Sequence, residues 1–212
     1  MYVGRRMTPD PITVSPGDSI SQAANLLKRH RIHHLPVIRG EEIAGIVTDT
    51  DIRNATLERT SPGPGGEVAV RAHLVEEIMT RDVVTVSPWD TIEDALLILR
   101  KRRFGALPVV DGQKLAGIIS KTDILAAFID TLRIEGAGGV RIEVILPRDV
   151  TFLLRLVQTL GEMKIEIRSM VLSPIRAEYV AFLRIGTIDV GTVKTRLQEA
   201  GFTVPELADF LG

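Results

Sequence analysis

Gly45-Ile46-Val47-Thr48-Asp49-Thr50-Asp51 returns, 72 positions later, as Gly117-Ile118-Ile119-Ser120-Lys121-Thr122-Asp123. Each copy opens as a short apolar strand and closes on a hydroxyl, a second hydroxyl and a carboxylate at spacing i, i+2, i+3. The apolar residues beyond, Ile52 in one copy and Ile124 to Phe128 in the other, start a helix. Ser, Thr and Asp at such a junction accept hydrogen bonds from the unpaired amides of the first helical turn, so the triplet can be a cap and nothing more. Alternatively, the carboxylate grips a vicinal diol such as a ribose, and the hydroxyls and helix N-terminus face a phosphate.

The same shift superimposes the sequence on itself without a gap from Met7 to Ile52, with about half the positions identical. Met7-Thr8 meets Met79-Thr80, Thr13-Val14-Ser15-Pro16 meets Thr85-Val86-Ser87-Pro88, and Leu35-Pro36-Val37 meets Leu107-Pro108-Val109. A duplicated unit of this size implies that each copy buries its apolar face on the other. Each reads as strand, helix, strand, strand, helix. The first strand is Ile12–Val14 or Val83–Val86, and Asp18 and Asp90 stand where a helix cap belongs, with Glu93 completing a capping box. Apolar residues then recur as Ile20, Ala23, Ala24, Leu27 and as Ile92, Ala95, Leu96, Leu99, one helical face. Leu35–Ile38 and Ile43–Val47 form a hairpin, and Asp111-Gly112 is a strong turn dipeptide at the matching corner.

These elements resemble the CBS domain: the Thr-Val-Ser-Pro strand end, the Leu-Pro-Val strand, and the Gly-apolar-apolar-Thr/Ser-x-Thr-Asp junction, each present twice over about 125 residues. The resemblance implies a tandem CBS pair, a sensor module that commonly binds adenosine-containing ligands between its repeats. It further implies that each site takes its ribose carboxylate from one repeat and its base-contacting strands from the other. One site would join Asp123, Thr122, Lys121 and Ser120 to Ile12, Arg31, Ile32, His33, His34 and Pro36. The other would join Asp51, Thr50 and Thr48 to Val84, Phe104, Gly105 and Pro108. The first is richer in phosphate partners and the second more apolar.

His30-Arg31-Ile32-His33-His34 also offers imidazoles at metal-ligand spacing, but no carboxylate nearby completes a site, so no metal is expected. As a solvated helix end, its basic residues would complement a helix C-terminus. Absence of cysteine excludes disulfides and thiolate chemistry. A net charge of -1 leaves no nucleic-acid footprint. No run reaches the roughly 18 apolar residues of a membrane span, and no nucleophile elbow, metalloprotease motif or dinucleotide fingerprint is present. The expectation is a cytoplasmic regulatory protein, not an enzyme. Its ligand would be AMP, ADP or ATP, with NAD or S-adenosylmethionine as further options, and its downstream protein target is unknown. The alternative is a structural oligomerisation module with empty clefts. The apolar run Ile124–Ile129 calls for a second partner, hence a homodimer.

The domain reading is repeat 1 over 1–60, a linker over 61–72 with Ser61-Pro62-Gly63-Pro64-Gly65-Gly66, repeat 2 over 73–134 opening on a short helix His73–Met79, and a linker over 135–139. The rest, 140–212, has a different rhythm. Strand Val140–Leu146 leads through Pro147 to Asp149, which caps a helix with the face Val150, Leu153, Leu154, Val157, Leu160. Strands Ile165–Leu172 and Tyr179–Ile185 flank a Ser173-Pro174 turn. A helix bearing Val190, Val193, Leu197 and Ala200 ends at Gly201, and Phe202-Thr203-Val204 is a last strand. The order βαββαβ is that of the ferredoxin-like split unit and is similar to an ACT domain. The fold class is thus α/β (α+β): two CBS repeats plus an ACT-like domain, an architecture resembling the acetoin-utilisation regulatory proteins. The loop Leu146-Pro147-Arg148-Asp149 lacks the glycine that lets an ACT backbone approach an amino acid, so self-pairing rather than amino-acid binding is expected there.

Overall fold

The computed structural model describes residues 1–60, 74–134 and 138–205. The linker stretch 61–72, His73 and residues 135–137 of the second linker lie outside them. The chain divides into two compact units, Met1–Leu125 and Ala126–Gly212. The first holds β1 (Thr8–Pro9), α1 (Ile20–His30), β2 (His34–Arg39), β3 (Glu42–Thr48), α2 (Asp49–Thr60), α3 (Val75–Ile78), α4 (Ile92–Arg102), β4 (Ala106–Asp111) and β5 (Lys114–Ser120). Helix α5 (Lys121–Thr131) crosses the division.

Each repeat is built on a hairpin. β2 and β3 pair antiparallel from His34↔Thr48 to Arg39↔Glu42, and β4 and β5 from Ala106↔Ser120 to Asp111↔Lys114. Both turns use a glycine at positive φ, Gly40 at 67° and Gly112 at 63°, where a side chain would be strained. The hairpins meet at Glu42↔Lys114.

The repeats also exchange their leading segments. Val3 N–H donates to Asp90 O at 2.8 Å and Gly4 N–H to Pro88 O at 2.9 Å. One repeat length on, Val75 N–H donates to Asp18 O at 2.9 Å and Glu76 N–H to Pro16 O at 3.0 Å. Thr8 pairs with Ile118 of β5, and Thr80 bridges Ile46 of β3. Val75 and Met79 therefore bury themselves in the core of repeat 1, among Val14, Ala23, Leu27, Leu35, Val37 and Val47. This exchange sets residues of each repeat against the strand that ends in the other's carboxylate junction.

Three local expectations change. Ile12–Val14 and Val83–Val86 form no ladder; each makes one parallel bridge, Val14↔Val37 and Val86↔Val109, because the chain turns away at Ser-Pro. The helix caps are Ser19 and Thr91, whose hydroxyls accept from Gln22 N–H and Asp94 N–H at 3.1 Å. Asp18 and Asp90 instead tie the preceding turns, accepting from Ser15 N–H at 2.7 Å and Ser87 N–H at 2.8 Å. The box lies one residue later than the sequence pattern suggested because the aspartates have closer amides to bind.

The second unit contains β6 (Val140–Pro147), α6 (Val150–Glu162), β7 (Glu166–Ile175), β8 (Glu178–Gly186) and α7 (Val190–Glu199). Its sheet runs β6-β8-β7, all antiparallel, with Thr203 bridging Ile145 on the outer side of β6. That single bridge is all that stands for the expected last strand. β7 runs through Ser173-Pro174 to Ile175, and the turn falls at Arg176, φ 54°. Pro174 is tolerated within the strand because β7 is an edge. Asp149 caps α6 through its bond from Thr151 N–H at 2.9 Å. The buried face of α6 is Leu156 and Leu160, with Phe152, Leu153 and Met163 packed alongside. Val150 and Leu154, assigned inward by spacing, are 68% and 64% exposed. The helix carries two apolar stripes, and periodicity could not say which one faces the sheet.

Candidate functional site

Thr48 ends β3 and Asp51 opens α2, and the two bond reciprocally. The Asp51 Oδ2 accepts from Thr48 N–H at 2.9 Å and from the Thr48 hydroxyl at 2.6 Å, while Thr48 Oγ1 lies 3.3 Å from Asp51 N–H. Ser120 and Asp123 repeat the arrangement at 2.8, 2.7 and 3.2 Å. Both junctions are capping boxes. All these bonds fall on Oδ2, so among the described residues Oδ1 of Asp51 accepts no hydrogen bond. The residue after each hydroxyl is anchored across the hairpin: Asp49 N–H donates to His33 O at 3.2 Å and Lys121 N–H to Gly105 O at 3.0 Å.

In front of Asp51 lies a cavity of about 220 Å³. Thr48, Thr50, Ile46 and His34 of repeat 1 form one wall. Thr80, Asp82, Val83, Val84, Arg103, Phe104, Gly105, Ala106 and Pro108 form the other, so the site is shared between repeats. Thr48, Thr50, Asp51, Val84, Phe104, Gly105 and Pro108 come together as one set. Arg103 and Ala106 flank Phe104 and Gly105 in the stretch before Leu107-Pro108 that the resemblance turns toward the cleft; Ile46, Thr80, Asp82 and Val83 are not singled out by the sequence, although Thr80 and Asp82 repeat Thr8 and Asp10.

The residues placed with Asp123 by sequence do not stay together. His34 turns into the Asp51 cavity, so close to Gly105 that a Cβ there would sit 2.3 Å from the imidazole Nε2. Burial, followed by the neighbouring His33, holds the His34 imidazole below its ordinary pKa; Asp49 and Asp51 pull it upward, and Lys121 adds to the lowering. Arg31, Ile32 and His33 line a separate hollow of about 370 Å³ between α1 and α2, with Lys28, Asp49 and Arg53. There His33 Nδ1 lies 3.3 Å from the Asp49 carboxylate and Arg53 donates to it at 3.0 Å. The histidine run is thus split between two surfaces. Ile12 packs on the repeat 1 core, and Pro36 is buried, accepting from Val14 N–H at 3.1 Å. Lys121 and Thr122 are exposed beside Ser120 and Asp123.

A family model described as CBS domain matches residues 3–58 and again 75–130, together more than half the chain. The chain belongs to the CBS domain family. The CBS domain-containing protein YhcV of Bacillus subtilis is 32% identical over 133 residues, which span 63% of this chain and 87% of that protein. Solved structures similar to the CBS pair include the CBS domain pair of MJ0100 in complex with 5′-methylthioadenosine and S-adenosylmethionine (29% identity, TM-score 0.52, 60% of this chain and 95% of that one). CBSX2 in complex with AMP is similar at 28% identity and TM-score 0.54, covering 61% and 96%. The acetoin utilization protein AcuB of Vibrio cholerae gives 26% and 0.53, covering 66% and 98%. Curated enzymes that the chain matches align over only 20% to 23% of their own length. No helix among the described residues is long and apolar enough to cross a membrane.

Proposed function

We propose that the CBS pair is a sensor that binds an adenine nucleotide or another adenosyl compound between its repeats, with Asp51 on the ribose diol. Val84, Phe104 and Pro108 then take the base. The observation that carries the reading is the cavity before Asp51, to which both repeats contribute. The free Oδ1 of Asp51 suits a diol, since the other oxygen already holds the cap. Solved relatives that bind AMP, 5′-methylthioadenosine and S-adenosylmethionine support the ligand class. The Asp123 junction, with Ser120, Thr122 and Lys121, is the second site of the same kind. The chain is regulatory rather than catalytic, acts in the cytoplasm as a homodimer on a protein target, and signals by favouring one domain or subunit geometry over another.

The second unit is read as a ferredoxin-like, ACT-like domain over 140–212. Its support is the order βαββαβ and a sheet in which the last segment, β6, β8 and β7 follow one another. Its role is pairing with a second copy, in keeping with the exposed Val150 and Leu154 on α6.

The test is thermal unfolding of the full chain against AMP, ADP, ATP, NAD and S-adenosylmethionine, repeated with Asp51→Ala and Asp123→Ala. A ligand at about 100 times its Kd adds about 2.7 kcal/mol. No shift with any of the five, or a shift untouched by both substitutions, returns the module to a purely structural role.

A further inference from the structure

We infer that the Asp51 cavity selects adenosyl compounds whose 5′ substituent is uncharged or positive, a thioether or a sulfonium, over adenylates. The inference rests on the proposed reading of this cavity as an adenosyl site. Its first support is the charge on the walls: Asp51, Asp82 and Arg103 line the cavity, two carboxylates to one guanidinium. His34, the fourth ionisable group there, lies in the wall against Gly105 and adds no compensating charge near neutral pH, since burial favours its neutral form. A phosphate ester would bring up to two further negative charges against a lining that already holds two carboxylates and one guanidinium, with Lys121 acting on His34 from outside it. Unlike charges in open water, these meet across a partly desolvated gap.

The duplication supplies an internal comparison. The first junction reads Thr48-Asp49-Thr50-Asp51 and the second Ser120-Lys121-Thr122-Asp123. One position changes sign, from Asp49 to Lys121, while the flanking hydroxyls and the aspartate persist. The second junction therefore carries a cation that the first lacks; Asp49 itself lies in the separate hollow, engaged with Arg53 and His33, and adds no charge to the Asp51 cavity. For the thioether, size acts in the same direction. At about 220 Å³, the cavity is smaller than the roughly 300 Å³ at which sites for drug-sized ligands begin. A nucleoside with a compact thioether is a better match than a polyphosphate.

The experiment is calorimetric titration of the full chain carrying Asp123→Asn, which leaves the Asp51 cavity as the site observed, with adenosine, 5′-methylthioadenosine, S-adenosylmethionine and AMP. The thioether and sulfonium should bind about tenfold or more tightly than AMP. Adding Asp82→Asn should tighten AMP severalfold and leave adenosine unchanged. AMP binding as tightly as 5′-methylthioadenosine with Asp82 in place, or no tightening of AMP by Asp82→Asn, overturns the selectivity and leaves the adenosyl site standing. Failure of all four to bind below about 1 mM removes the site and the selectivity together. Val84→Trp, which fills the cavity, should abolish binding; binding that survives it lies elsewhere and overturns both.

Discussion

Replacing Gly105 by alanine tests whether the His34 ring is a movable wall of the site. An alanine Cβ at 105 would meet Nε2 of His34 at 2.3 Å and Cε1 at 2.7 Å. Comfortable carbon contacts lie near 3.5 Å, so the ring has to retreat by about 1 Å or more. The backbone does not resist the change, because Gly105 is absent from the positive-φ positions. Pushing the ring off its rotamer costs about 0.5–1.5 kcal/mol, and the stiffer unfolded chain returns about 0.4–1 kcal/mol. Stability should therefore stay within about 1 kcal/mol of the parent. The displaced imidazole enters a cavity of only about 220 Å³, so adenosyl affinity should fall about tenfold. A double-mutant cycle with His34→Ala isolates the contact, since alanine at 34 leaves nothing for the new methyl group to strike. Calorimetry supplies the affinities. Proton NMR of the parent and Gly105→Ala should show the His34 titration moving up toward its ordinary value as the ring loses its cover. An equal loss of affinity from Gly105→Ala with and without His34 would refute the reasoning.

Four further outcomes follow from the same geometry. Asp123→Ala should remove the Ser120 box and cost about 0.5–2 kcal/mol in urea unfolding, besides abolishing ligand response at that junction; an unchanged midpoint contradicts the capping role. Gly45→Ala should lose about 1–3 kcal/mol, because its Cβ would press to 2.9 Å on the Thr80 backbone carbonyl and 2.7 Å on Met79 Sδ; a neutral result means the exchanged segment is not seated on β3. For His34, whose pKa is depressed on folding, the unfolded chain binds the proton more readily. Its contribution is complete above about pH 6.5 and is lost as pH falls toward the folded value, so His34→Gln should flatten the acid side of the stability profile. Finally, light scattering should give twice the chain mass, and Leu125→Glu, at a position 60% exposed, should reduce it to one without a loss of stability; a monomeric parent excludes the homodimer.

The repeat made most of the first unit legible, because self-similarity at a shift of 72 positions fixes hairpins, helices and junctions twice over. What it hid was the exchange of leading segments. Nothing in Val3 or Val75 says which repeat will receive it, since each is a valine at the head of a short helical turn with no partner written beside it in sequence. The composition of the Asp51 cavity depends on that exchange, so Thr80, Asp82 and Val83 were invisible as site residues. His34 shows a different failure. The sequence pattern starts the strand at Leu35, whereas β2 begins at His34, and which wall the ring joins is decided by Gly105 leaving room for it. On α6, spacing found apolar stripes without their orientation, because Val150–Leu154–Val157 and Leu153–Leu156–Leu160 have the same helical period.

The carboxylate junction itself carries less functional information than its repetition suggests. At the start of α4, Thr91 and Asp94 bond in nearly the same way: the Thr91 hydroxyl donates to Asp94 Oδ2 at 2.7 Å and accepts from Asp94 N–H at 3.1 Å. Yet Asp94 is exposed and lines none of the cavities described above. A hydroxyl followed three residues later by an aspartate thus serves local structure in this chain, as a helix cap at Thr48, Thr91 and Ser120 and as a turn tie at Ser15 and Ser87. What separates Asp51 from Asp94 is the opposing wall, built from Val84, Phe104 and Gly105 of the other repeat. The local motif gives the helix its start, and ligand chemistry becomes available only where the fold sets a second repeat in front of the unused carboxylate oxygen.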